Sequence, residues 1–189
     1  MSRFKKDDRE NFQRMLLEVG EVLFNQHGLL GISVDDITKE VGIGKGTFYH
    51  FYKNKEHLYM EICNLIQDRI FSQVNMYLEK DIDSKTKFRE TINFIFDELI
   101  KVPMIYAMDE KIYKQLQNKV PEECMDCNDA RDLKMTEMLA KSGISFNIPI
   151  EKVNRIIQLL FVDKTLLLAK DDTDTIEILI NSVCQYIVQ

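Results

Sequence analysis

Residues 33–55 read SVDDITKEVGIGKGTFYHFYKNK, a stretch in which two short helical patterns flank a break that contains glycine. Ser33 and Asp36 have the capping-box spacing that begins a helix. Gly42 is expected to end this first helix, and residues 45–51 are expected to form the second. Two short helices around a tight turn are the parts of a helix-turn-helix.

The second of these helices is predicted to have an inner and an outer face. Phe48 and Tyr52 lie one turn apart and are expected to pack inward. The outer face then carries Lys45, Gly46, Tyr49 and His50, with Thr47 beside them. The start of a helix also presents backbone N–H groups and a positive dipole end, which favour phosphate. Taken singly, each of these side chains fits an ordinary solvated surface as well.

The rest of the chain is also predicted to be helical. Six of the seven glycines precede residue 47, whereas the three prolines follow residue 100, which predicts short helices first and longer ones later. The predicted spans are 8–27, 55–77, 84–101, 104–118, 122–141, 150–169 and 173–188. Gly28 is expected to end the first of them, and Asn54 and Ser84 are expected to cap the second and third.

This pattern predicts an all-α fold with two domains. No alternating strand pattern occurs in the sequence. We expect a three-helix domain with the helix-turn-helix at residues 1–54, joined by a long helix to a helical domain within residues 55–189.

The composition favours a globular protein. Hydrophobic residues make up 45% of the chain and charged residues 30%, which is too apolar for a disordered chain and too charged for a membrane protein. No apolar stretch of the kind that a signal peptide needs follows the basic N-terminus, and the four cysteines are too scattered for a disulfide framework. We therefore expect a cytoplasmic protein with no membrane partner.

The net charge of −6 is unevenly distributed along the chain. Residues 1–55 contain nine Lys and Arg against eight Asp and Glu, whereas residues 56–189 contain sixteen against twenty-three. The excess acid thus lies outside the predicted helix-turn-helix. Since the nearly balanced charge of residues 1–55 does not predict a broadly cationic surface, any affinity for nucleic acid would depend on a few basic and hydroxyl groups in specific positions.

Four motifs of the N-terminal segment carry a family resemblance. They are SVDDI at 33–37, VGI at 41–43, KGTFYH at 45–50 and KNKE at 53–56. In this spacing and position they resemble the DNA-binding domain of the TetR family of one-component repressors. Gly44 stands where that family often has serine, which removes one hydroxyl that could bind phosphate, and Tyr52 stands where phenylalanine is usual.

The resemblance implies a transcriptional repressor that binds a palindromic operator in double-stranded DNA as a homodimer and is released by a small-molecule effector. It implies that Lys45, Gly46 and Thr47 approach bases and backbone, that Tyr49, His50 and Lys55 bind phosphate, and that the Ser33 region adds a backbone contact. In that family, the C-terminal domain binds the effector and dimerises through its last two helices.

The C-terminal helices contain candidate residues for both tasks. Candidates for dimerisation are Val153, Ile156, Ile157, Leu160, Leu167, Ile176, Ile180, Val183 and Ile187. Candidates for an effector pocket are Phe96, Met104, Tyr106, Met108 and Met135, since flexible methionines and aromatic rings suit an adaptable apolar pocket. Both sets suit the core of a single chain equally well.

Other functional classes have weaker support in the sequence. Cys124 and Cys127 form a CxxC that would suit a thiol- or metal-responsive regulator, but flanking acids disfavour the thiolate and no second CxxC follows. The helix-turn-helix could also serve protein contact alone. The sequence has no phosphate loop, nucleophile motif or HExxH pair, so we expect neither an enzyme nor a cofactor.

Overall fold

The computed structural model describes residues 6–168 and 173–189. Within them, the side chains of residues 6–8, 106, 126–129, 162–168 and 173 lie outside the description. Ten α-helices occur in the described part: α1 Lys6–Gly31, α2 Val34–Val41, α3 Lys45–Phe51, α4 Lys55–Leu78, α5 Ser84–Ile100, α6 Pro103–Tyr106, α7 Glu110–Lys119, α8 Glu122–Lys141, α9 Ile150–Leu168 and α10 Thr173–Ile187. The predicted all-α fold is confirmed.

The chain divides into two compact units. The first comprises the chain up to Ile66 together with Val102–Cys127, and the second comprises Gln67–Lys101 and the chain from Asn128 onward. The first unit therefore contains α6 and α7 in addition to the helix-turn-helix. The domain limits 1–54 and 55–189 stay a prediction, because compact packing does not test which segment folds alone.

Helix α2 and the turn after it are fixed by three residues. The Asp36 N–H donates to Ser33 Oγ at 3.3 Å, and the Ser33 N–H donates to Asp36 Oδ2 at 2.7 Å, which is the predicted capping box. Gly42 ends the helix with φ of 76°, a conformation that costs a residue with a side chain roughly 1–2 kcal/mol. The turn that orients α3 thus follows from local sequence.

The core of the first unit joins α1, α4 and α6. The rings of Phe24 and Tyr59 meet edge to face with their centroids 5.0 Å apart, and both are buried. The Tyr59 hydroxyl donates to the carbonyl of Met104, whose N–H donates to Asn25 Oδ1 at 3.1 Å. Helix α6 is therefore attached to α1 and α4 by side-chain hydrogen bonds to its backbone.

The second unit packs α5, α9 and α10 together. Its α8 and α9 are also joined by polar side chains: Gln158 Nε2 donates to Asp132 Oδ2 at 2.9 Å, and Thr136 Oγ1 donates to Asn154 Oδ1 at 2.9 Å. Residue numbers rise from 132 to 136 along α8 while those of the partners fall from 158 to 154 along α9, so the two helices are antiparallel here. The end of α10 is fixed by the Asn147 N–H, which donates to the Ile187 carbonyl at 2.8 Å.

Two helix starts differ from the sequence prediction. The cap of α5 is Asp83 and not Ser84, because the Asp83 carboxylate accepts from the Thr86 N–H at 3.0 Å. The helix predicted at 104–118 is broken into α6 and α7, since the Asp109 carboxylate accepts from the Ile112 N–H at 2.8 Å and starts a new helix. At α5 the cap is the residue before the predicted one, whereas at Asp109 an aspartate cap interrupts the predicted helix.

Other predicted ends agree with the structure. The backbone leaves the helical region at Gly28, with φ of 68°, although one more turn continues to Gly31. Asn54 caps α4 by accepting from the His57 N–H at 2.8 Å. Among residues 6–168 and 173–189, no helix combines the length and apolar character that crossing a membrane requires.

Candidate nucleic-acid interface

Helix α3 is held by its inner face. Phe48 and Tyr52 are almost completely buried, with their ring centroids 5.9 Å apart, and Ile37 and Val41 of α2 are buried as well. Burial raises the pKa of the Tyr52 hydroxyl above its ordinary value, and the nearby Glu61 carboxylate adds to this rise. The predicted inner face is therefore confirmed.

The outer face of α3 is open to solvent. Lys45, Gly46, Tyr49 and His50 are exposed, and Thr47 is half-buried. The Tyr49 ring meets the Phe48 ring edge to face, at a centroid distance of 5.5 Å, so the exposed Tyr49 ring packs against a buried one. At the start of the helix, Gly44 provides no side-chain cap. The structure thus places these five residues together on one surface, and their contacts with DNA stay predictions.

An ion pair crosses from α2 to the start of α3. Lys45 Nζ lies 2.7 Å from Asp35 Oδ1, and the two side chains are 58% and 63% exposed. The hydrogen bond to Asp35, together with its negative charge, raises the pKa of Lys45. Sequence reasoning missed this pair, because ten positions separate the two residues and only the turn between α2 and α3 brings them together.

Ser33 and Lys55 are both engaged within the chain. The Ser33 hydroxyl donates to Asp36 Oδ2 at 2.6 Å, so its side chain belongs to the cap of α2. Lys55 Nζ donates to the carbonyls of Leu29 and Ile32 at 2.8 and 2.5 Å. An ammonium group has three hydrogens, and Lys55 uses two of them on one carbonyl in the last turn of α1 and one directly after it. The predicted phosphate contact of Lys55 stays a prediction.

A buried carboxylate ties α7 to the start of α4. Glu56 is 2% exposed, and its Oε1 accepts from Gln115 Nε2 at 2.7 Å and from Lys119 Nζ at 2.9 Å. Burial alone would raise the pKa of Glu56, but the two donors outweigh burial and hold the pKa below its usual value. Asn54 Nδ2 also donates to the Lys119 carbonyl at 2.9 Å. No sequence pattern indicated that Glu56 would be buried.

The five candidate pocket residues are divided between the two units. Met104 and Met108 belong to the first unit, whereas Phe96 and Met135 belong to the second. The side chain of Tyr106 lies outside the described residues. Two cavities of about 430 and 410 Å³ lie on the described surface, one beside Val22 and the other beside Phe94, and neither is lined by a candidate pocket residue. The effector pocket stays a prediction.

The candidate dimer residues are largely used inside the chain. Val153, Leu160, Ile176, Ile180 and Ile187 are buried, so their assignment to an interface is corrected to core packing. Leu167 lies outside the described side chains. Among the side chains that the structure describes on α9 and α10, the large apolar ones left exposed are Leu159, Ile178 and Tyr186. Helical periodicity alone did not separate the inward from the outward side of these helices.

The CxxC motif gains no support as a redox or metal site. Cys124 Sγ accepts a long hydrogen bond from Asn64 Nδ2 at 3.9 Å, and the side chain of Cys127 lies outside the described residues. In the part of the chain that the structure describes, no three His, Cys, Asp or Glu side chains are grouped as a metal site requires.

Comparison with known proteins gives a match in the N-terminal region. The family model of bacterial regulatory proteins of the tetR family matches residues 16–62. The transcriptional regulator EthR of Mycobacterium tuberculosis is 33% identical over 97 residues, which are 48% of this chain and 42% of EthR. The regulator YuxN of Bacillus subtilis is 25% identical over 112 residues, which are 59% of this chain and 38% of YuxN. The chain thus aligns with about two fifths of the length of each relative.

The fold is shared over almost the whole chain. A TetR-family transcriptional regulator of Pectobacterium atrosepticum superposes with a TM-score of 0.65 at 14% identity, covering 96% of this chain and 94% of the other. At this identity the likeness concerns the fold alone. It extends the agreement beyond the segment that the family model matches.

Replacing Lys55 with Met tests its role at the end of α1. Lys55→Met leaves the carbonyls of Leu29 and Ile32 without their donor, so we expect the free energy of unfolding to fall by about 1–3 kcal/mol. Urea denaturation followed by circular dichroism measures the change. Lys53→Met, which alters an exposed neighbouring lysine, should change stability by less than about 0.5 kcal/mol. Equal losses in both variants would contradict the assigned role of the Lys55 ammonium as donor to these two carbonyls.

Glu56→Gln tests the buried carboxylate through the pH dependence of stability. The folded pKa of Glu56 is lowered, so its ionised form stabilises the protein above the unfolded pKa, and this stabilisation disappears as the pH falls through the folded pKa. We expect a loss of about 1–3 kcal/mol at neutral pH that shrinks below about pH 4.3.

The exposed pair of Glu110 and Lys114 supplies the matched control. Glu110→Gln should cost at most about 0.5 kcal/mol at neutral pH, because water screens this pair. If the stability difference between Glu56→Gln and the native chain were the same at every pH, the assigned role of the carboxylate charge would be wrong.

Proposed function

We propose that this chain, which belongs to the tetR family of bacterial regulatory proteins through its N-terminal domain, is a transcriptional repressor that binds operator DNA as a homodimer. A small-molecule effector would release it, and it would act in the cytoplasm. The observation that carries the proposal is the outer face of α3. Side chains that carry hydrogen-bond donors lie together there on the exposed face of a short helix, within the segment that the family model matches.

Gly46 supports a close approach of DNA. A Cβ added to Gly46 would meet no described atom within 4 Å, and its backbone has an ordinary negative φ. Neither packing nor backbone conformation therefore requires glycine, although glycine within a helix costs about 0.5–1 kcal/mol relative to alanine. A DNA backbone that passes close to α3 would explain why a residue without a side chain stands at position 46.

The remaining outer-face residues match the groups that DNA presents. Lys45, Thr47, Tyr49 and His50 carry N–H or O–H donors on exposed or half-exposed positions. Such donors bind phosphate oxygens and the acceptor atoms of base edges in the major groove. A helix of this length reads few base pairs, so two copies related by a two-fold axis would be needed to read half-sites about one helical turn apart.

The dimer that this requires has a candidate surface on α10. Ile178, Ser182 and Tyr186 follow one another at intervals of four residues, and Ile178 and Tyr186 are 64% and 73% exposed. A two-fold interface brings the same patch of both copies together, which would cover this stripe. The effector is supported by family membership alone, with Phe96, Met104, Tyr106, Met108 and Met135 as its candidate contacts.

Gly46→Ala is the sharpest test of the outer face as a DNA contact. We expect the variant to be more stable than the native chain by about 0.5–1 kcal/mol and to bind operator at least about tenfold more weakly, a loss of about 1.4 kcal/mol. The operator is first selected by the native chain from a pool of random duplexes. Fluorescence anisotropy then measures affinity, and urea denaturation measures stability.

Two further variants complete this experiment. Lys45→Ala combined with Tyr49→Phe should weaken binding, whereas Tyr113→Phe, at another exposed tyrosine, should not. Unchanged operator affinity in all outer-face variants would refute the assignment of this face. If the native chain selected no sequence from the pool, the proposal of a DNA-binding repressor would itself be rejected.

Ile178→Glu tests the α10 stripe as the dimer interface. A charge on this exposed position should convert the dimer to a monomer with unchanged helical content, because two such charges would face each other across the two-fold axis. Met76→Glu alters a similarly exposed apolar residue on α4 and should remain dimeric. Analytical ultracentrifugation distinguishes the two states, and a dimer in both variants would place the interface elsewhere.

A further inference from the structure

We infer that Asp35 is a positioning and specificity-determining residue of the DNA-binding surface: its carboxylate neutralises and holds the Lys45 ammonium, which then reads base edges in preference to phosphates. The inference rests on the proposed DNA-binding function. It concerns a residue outside the outer face of α3, and it assigns to an acidic side chain a role in selecting among DNA sequences.

The geometry places the pair at the edge of the outer face. Asp35 is the second residue of α2 and Lys45 is the first residue of α3, so the 2.7 Å ion pair joins the two helices of the motif. Both side chains are more than half exposed. The neighbouring Asp36 is engaged with Ser33 in the cap, so of these two adjacent aspartates it is Asp35 that pairs with Lys45.

The pair contributes little to stability, because solvent screens exposed ion pairs. Its effect on DNA binding has a different basis. Phosphates attract a lysine chiefly through net charge, whereas base edges accept hydrogen bonds at defined positions. The Lys45 ammonium keeps its positive charge, but its ion pair with Asp35 is neutral as a whole, and two ammonium hydrogens remain for neutral acceptors. Pairing therefore weakens the phosphate contact more than the base contact.

The salt dependence of binding provides the quantitative consequence. A free lysine that neutralises one phosphate releases about 0.9 of a counterion from duplex DNA. When Lys45 leaves Asp35 for a phosphate, the abandoned carboxylate attracts a cation from solution, and the net release is small. Removing the carboxylate should therefore steepen the plot of log affinity against log salt by about one unit per protomer.

Asp35→Asn tests this inference with two duplexes of equal length, the selected operator and a mixed-sequence control. In about 0.1 M salt we expect affinity for the mixed-sequence duplex to rise about tenfold for each bound protomer, with the steeper salt dependence, and affinity for the operator to change much less. Glu40→Gln removes a charge from another exposed position of α2 and should alter neither quantity comparably. Asp35→Glu should resemble the native chain.

A double-mutant cycle separates positioning from simple repulsion between Asp35 and DNA. In a Lys45→Ala background, Asp35→Asn should no longer steepen the salt dependence, because no ammonium remains to be released. An equal effect in both backgrounds would overturn the inference and show direct repulsion, and so would native behaviour of the Asp35→Asn variant. Failure of the native chain to bind either duplex would instead reject the proposed function.

Discussion

Helix α3 is stable because two aromatic side chains are buried, that of Phe48 within the helix and that of Tyr52 directly after it. A helix of seven residues is not stable alone in water, and α3 has a glycine at its second position and no side-chain cap at Gly44. Burial of a large apolar side chain contributes about 1.5–3 kcal/mol, and Phe48 and Tyr52 are both buried almost completely. Since these two residues provide the stability, the opposite face can be composed for contact with a partner.

Three consecutive residues then fix the position of this helix within the first unit. Asn54 bonds the carbonyl of Lys119 in α7, Lys55 bonds two carbonyls near the end of α1, and Glu56 bonds side chains of α7. Each contact uses a different functional group, and the segment directly follows α3. A displacement of α7 would therefore break bonds at the start of α4, a few residues after α3 ends, which links the packing of α7 to the segment that follows the outer face.

The features that sequence predicted well are those set by residues a few positions apart. The Ser33 and Asp36 cap, the Asn54 cap and the two faces of α3 depend on spacing within one turn, and all are present in the structure. The contacts of Lys45 and Glu56 depend on the approach of separate helices, which spacing does not encode. Asp109 shows an intermediate case, since a local cap signal existed but the surrounding helical pattern obscured it.

The distribution of charge along the chain makes the positions of hydrogen-bond donors more important than net charge for DNA binding by the proposed regulator. Residues 1–55 carry nearly balanced charges, and the rest of the chain is acidic, so long-range attraction to DNA is weak compared with that of a basic protein. The ammonium of Lys45 on the outer face is already paired, and the ammonium of Lys55 at the start of α4 is held by backbone carbonyls. Weak general attraction lowers binding to arbitrary DNA, because that binding is almost entirely electrostatic. The affinity that remains must come from hydrogen-bond donors held in fixed positions. The buried side chains of Phe48 and Tyr52 hold α3, and with it these donors, in place.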